Sequence, residues 1–161
     1  MPKPFSNNPH KDADRREIWN ILMTEDFEGY CSGDFSKCKT RFDEDFCGYN
    51  GNQSLNPKDW KVDFPTLEPY EKIWVHSAKN DVPKNQPKEG TLIEFFDRSV
   101  RLDQILIGGD RAAAHKTFFG STPLKNGGEY KIAWQTMYFL RKRKDGWKIT
   151  GFVGFLPYDG K

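Results

Sequence analysis

The sequence predicts an α+β roll, with helices early in the chain and antiparallel strands late. Three observations carry this. From Glu129 onward the apolar character alternates: Tyr130, Ile132, Trp134, Thr136, Tyr138 and Leu140 share one face, with Lys131, Gln135 and Arg141 on the other. Strand side chains repeat every two residues, so one face of this segment is buried. Lys144-Asp145-Gly146 then separates it from a second alternating run, Trp147, Ile149, Gly151, Val153 and Phe155, and marks a tight hairpin. The early chain carries a helical stripe instead, which argues against a βαβ order.

Taken in order, residues 1 to about 11 are polar with prolines and read as a flexible arm. The rest, 12–161, reads as a single domain. A helix is predicted near Asp12 to Tyr30, because Trp19, Leu22, Met23, Phe27 and Tyr30 form a helical stripe. Asp12 or Asp14 caps its start, and Ser32-Gly33-Asp34 ends it. A short helix follows over Phe35 to about Phe42, capped by Asp34, and then a short strand from Phe46 to Asn50. Residues 51–65 read as a long loop. A third helix spans Leu67 to about Lys79, capped by Thr66, with Tyr70, Ile73, Trp74 and Ser77 inward. Asn80 to Gly90 is a loop. Strands are predicted over Thr91 to Phe96, Ser99 to Ile107 and Arg111 to Gly120, the last two joined by Gly108-Gly109-Asp110.

Composition narrows the function classes. The chain has 161 residues, 15% aromatic, so rings dominate its core. Lys and Arg number 25 against 23 Asp and Glu, a balance that gives no drive toward nucleic acid. Arg141-Lys142-Arg143-Lys144 is the one basic run and reads as solvated charge at the hairpin tip. Cys31, Cys38 and Cys47 are odd in number and fit neither a metal knuckle nor a disulfide frame; reduced thiols in a cytoplasmic protein are the simplest account. The first residues show no apolar core of a secretory signal. No run approaches the ~18 apolar residues of a membrane span.

Three segments together resemble the nuclear transport factor 2 (NTF2)-like superfamily, which includes SnoaL-like cyclases and ketosteroid isomerases. They are Tyr30-Cys31-Ser32-Gly33-Asp34-Phe35 with Phe42-Asp43-Glu44-Asp45-Phe46, then Leu106-Ile107-Gly108-Gly109-Asp110-Arg111-Ala112, and the hairpin from Phe139-Leu140-Arg141 to Trp147-Lys148-Ile149. The resemblance implies a cone-shaped roll, with N-terminal helices packed on a curved antiparallel sheet of about four to six strands. It also implies an apolar pocket in the cone and, commonly, a homodimer.

The isomerase residues do not carry over. The resemblance puts the catalytic carboxylate at Asn50, which takes no proton, and the phenol of the first helix near Asp26. Two titratable residues stand in as candidates for proton transfer. His115 shares a strand face with Ala113, Thr117 and Phe119, which points it into the pocket. Asp26 lies at the edge of the first helix's apolar stripe. Trp19, Trp74, Trp134 and Tyr138 sit on inward faces and are candidates to contact a flat ligand, with Tyr30, Tyr49, Asn50 and loop residue Trp60 at the pocket or its mouth. No metal and no cofactor is expected. The expected function is binding of an apolar or aromatic small molecule, with cofactor-independent isomerase, cyclase or dehydratase chemistry by proton transfer. The alternative is a non-catalytic homodimeric module whose cone is filled by its own rings.

Overall fold

A computed structural model describes residues 2–161. Six strands form one sheet in the order β2-β1-β6-β5-β4-β3. They are β1 (Phe42–Asn50), β2 (Lys61–Phe64), β3 (Val100–Gly108), β4 (Arg111–Pro123), β5 (Glu129–Arg143) and β6 (Gly146–Pro157). Every neighbouring pair is antiparallel except β1 with β6, which runs parallel. Gly151 permits that pairing, because a Cβ there would collide with the Cys47 carbonyl oxygen. Register shifts in β1, β3, β5 and β6 bend the sheet.

The helices cover its concave face. Helix α1 (Ala13–Trp19) runs through a π-helical turn, Asn20–Glu25, into α2 (Asp26–Ser32). Asp12 caps the start by accepting from the Arg15 amide. Gly33 ends the helix in the left-handed region, φ 69°. Next come α3 (Ser36–Lys39), α4 (Leu67–Lys84) and α5 (Leu92–Ser99). The core lies between these helices and the sheet, around Ile18, Leu22, Phe46, Phe95, Ile132 and Trp147.

Several expectations are corrected. Thr91 to Phe96 is not a strand. It belongs to α5, nucleated by a capping box in which Glu94 accepts from the Thr91 amide at 2.7 Å. Residues 51–65 include β2, and α4 continues to Lys84 with Pro83 inside its last turn. Ile73 is exposed rather than inward. The arm is anchored by Phe5: its ring stacks on Phe27 at 4.9 Å and its amide donates to Asp97 Oδ1. The basic run is largely ion-paired. Arg143 grips Asp43 with two bonds of 2.8 and 2.9 Å, and Lys142 reaches Asp14 at 2.7 Å.

Candidate functional site

The aromatic residues of α2, α4 and the inner sheet face leave a cavity of about 340 Å³ between them. Its walls are set by strand alternation. On β5, Trp134, Thr136 and Tyr138 point inward as expected. On β6 the alternation breaks. Phe139 pairs with Gly151 but Leu140 with Ile149, so Thr150 is an extra residue. The bulge switches faces, and Phe152 and Gly154 line the cavity while Phe155 sits at its exposed edge.

β4 corrects the main catalytic expectation. Its buried residues are Ala112, Ala114, Lys116, Phe118 and Thr122, so the inward face is the opposite of the one predicted. His115 lies on the outer face and bonds Gln135 at 2.6 Å. It lines a wider, more open trough of about 680 Å³, walled partly by Pro157, Tyr158 and Lys161. The trough is the larger hollow, but it lies open on the sheet surface. The cone is walled by rings and backed by a buried charge.

That charge is Lys116, which has no exposed side-chain surface. Its ammonium donates to Asp26 Oδ2 at 2.9 Å and to the Leu22 carbonyl, and it sits 4.3 Å from the centre of the Phe27 ring. The π-helical turn makes this possible. The Asp26 amide bonds Met23, so the Leu22 carbonyl is released from its α-helical bond to Asp26 and receives the lysine. Burial lowers the Lys116 pKa, and Asp26 offsets part of that shift. Asp26 lines the cavity with 27% of its side chain exposed, its Oδ2 held by the ion pair.

A second polar chain lies at the α2–α4 wall. Tyr30 Oη is 2.9 Å from Ser77 Oγ, which donates to Asp81 Oδ2 at 2.9 Å. Burial raises the Tyr30 phenol, as it does those of Tyr70, Tyr130 and Tyr138. Tyr70 and Tyr130 also line the cavity. Burial likewise pushes the Cys31 thiol up to about 12, and all three cysteines are free. Among the described residues no group of three or more His, Cys, Asp or Glu is placed to hold a metal ion. Among the described residues no helix is long and apolar enough to cross a membrane.

Of the residues singled out in sequence, Asp26, Tyr30, Trp74, Trp134 and Tyr138 converge on the cone. The others do not. Trp19 is buried against Phe5 in the core. Tyr49 is exposed, and its parallel partner Val153 marks it as outward-facing. Asn50 ends β1, bonding Asp63 of β2 and accepting from the Asn52 amide. Trp60 anchors its own loop through Nε1 to the Ser54 carbonyl, 2.9 Å. Sequence reasoning missed Lys116, Ser77's link to Asp81, and Phe118. The signal for Lys116 was its alternation with Ala112, Ala114 and Phe118.

The overall architecture matches solved structures closely in coverage, if not in sequence. A cystatin-like-fold domain of unknown function from Nostoc punctiforme superposes with a TM-score of 0.62 at 11% identity, covering 94% of this chain and 82% of that one. The fold is the NTF2-like α+β roll. An NTF2-like protein of unknown function from Shewanella baltica gives a TM-score of 0.54 at 12% identity, covering 90% of this chain and 96% of the other. A ketosteroid isomerase-like protein from Erwinia carotovora atroseptica gives 0.53 at 12% identity, covering 89% and 96%. No protein family and no curated protein matches the chain in sequence. The NTF2-like roll explains why the helices and the bent sheet enclose a cone.

Proposed function

We propose that the cone binds a small, largely apolar or aromatic molecule, with Asp26 as its polar anchor. The observation that supports this is the cavity of about 340 Å³, ring-walled and backed by the Lys116–Asp26 pair. Its volume falls within the roughly 300–1,000 Å³ typical of ligand pockets. Carrying a charge into such a site costs several kcal/mol, and core packing alone has no use for it. If the bound molecule is transformed, the chemistry is proton transfer without a cofactor. Asp26 is then the acceptor and Lys116 the positioning residue that fixes its orientation. The ketosteroid isomerase arrangement does not apply, since Asn50 takes no proton and its amide is engaged with Asp63.

The test uses Trp74 and Trp134, which line the cone. A panel of neutral aromatic compounds is screened by thermal shift and by quenching of tryptophan emission. A binder is expected to quench, and Trp134→Phe is expected to reduce the quenching. Failure of this panel and of aromatic amines alike overturns the reading and favours the alternative, a homodimeric module whose cone is filled by its own rings. For the expected homodimer we propose the outer sheet face, where Leu106 and Phe139 flank Ala113 across neighbouring strands and are both exposed.

A further inference from the structure

The cone's charge narrows its ligand class. Its lining includes the carboxylates of Asp26 and Asp81 but no Lys, Arg or His. Lys116, behind the wall, neutralises Asp26. Asp81 has no cationic partner within 4 Å among the described residues; its side chain takes only the Ser77 hydroxyl. The lining therefore holds one carboxylate whose charge the protein does not balance.

The hydroxyl chain adds a direction. Ser77 has one proton, and it goes to Asp81. The Tyr30 proton must then go to Ser77, which leaves the Tyr30 oxygen as an acceptor only. Three acceptors on α2 and α4 thus face the same space, Asp26, Asp81 and Tyr30, opposite the phenols of Tyr130 and Tyr138 on β5, so the ligand's sign is set by the carboxylate charge. Ring faces surround them. Tyr30 and Trp74 meet edge to face at 5.6 Å, and Phe118 stacks on Trp134 at 4.7 Å. Aromatic faces attract cations and give nothing to anions.

We infer that the cone selects an aromatic or apolar molecule bearing a protonated amine, which donates to Asp81 and packs against the rings. An anionic ligand meets an unbalanced carboxylate and no cation, so carboxylates and phosphates are disfavoured. This rests on the proposed ligand-binding role of the cone and adds the sign of the ligand's charge.

The experiment is calorimetric titration of the full chain with three matched probes: tryptamine, the neutral alcohol tryptophol, and indole-3-propionate. Tryptamine is expected to bind about tenfold to a hundredfold more tightly than tryptophol, the range of one charge-assisted hydrogen bond. Indole-3-propionate is expected to bind most weakly. Asp81→Asn is expected to collapse the amine-to-alcohol ratio toward one, with its melting curve confirming a folded protein. Tryptophol binding as well as tryptamine, or the carboxylate binding best, overturns the inference while leaving the cone as a ligand site. If none of the three binds and the neutral panel also fails, the ligand-binding reading falls and the inference falls with it.

Discussion

A single lysine organises the interior. Lys116 is buried, and its stability depends on Asp26 and the Leu22 carbonyl. Removing a partner from a buried pair is far more damaging than removing both charges. Asp26→Asn is therefore expected to destabilise the fold by on the order of 3 kcal/mol. Adding Lys116→Met to that variant is expected to recover at least half of the loss, as read by urea unfolding. Equal stability of the single and double variants would show that the ammonium is not held as an ion. Asp43 gives a second test. It is buried, and the Arg143 guanidinium holds its carboxyl down at about 2. A depressed carboxyl contributes stability above its unfolded value near 4, and that contribution is lost as pH falls toward 2. Arg143→Leu is expected to flatten the acid limb of a stability-against-pH curve in that window. Lys116 also shows where reading by alternation fails. Arg111 to Phe119 alternates, but its two faces carry Phe118 and Phe119 respectively, so the pattern has no preferred sign. A lysine ordinarily faces solvent. The acceptors that reverse it, Leu22 and Asp26, lie some ninety residues away in sequence.

At the scale of elements, local signals were legible where they were self-contained. The β5–β6 hairpin, the β3–β4 turn and the Gly33 helix stop each rest on a few adjacent residues, and each formed as expected. The π-helical turn was not legible, because its stripe fits an ordinary helix and the extra carbonyl is claimed only by β4. Helix α5 was missed although Thr91 and Glu94 spell its capping box. The β-branched and aromatic content of Thr91 to Phe96 suggested a strand instead. Thr91→Ala is expected to cost about 1 kcal/mol, measurable in thermal unfolding, and more than an exposed substitution such as Lys88→Ala. Bulges are likewise invisible in the sequence. Thr150 on β6 decides that Phe152 faces the cone, and alternation alone assigned Val153 and Phe155 to that side.

At the scale of the whole molecule, the cone and the outer sheet face differ in chemistry. The cone holds rings and acceptors. The outer face holds His115, Leu106 and Phe139. Under the proposed homodimer, Leu106→Glu is expected to shift the protein from dimer to monomer in sedimentation velocity, and an unchanged sedimentation coefficient would remove that face as the interface. The parallel pairing of β1 with β6 has a further consequence, in time rather than space. The third helical segment is finished by residue 39, yet β1 borders β2 on one side and gains its other neighbour only when Gly146–Pro157 arrives. More than ninety residues of chain separate the two strands, and pairings of such long sequence separation form slowly. During synthesis at roughly 5–20 residues per second, Phe46, Phe64 and Tyr70 wait for several seconds without Phe152, the ring that all three contact in the finished protein. The aromatic half-cone of the nascent chain is thus the stage at which a chaperone has most apolar surface to hold.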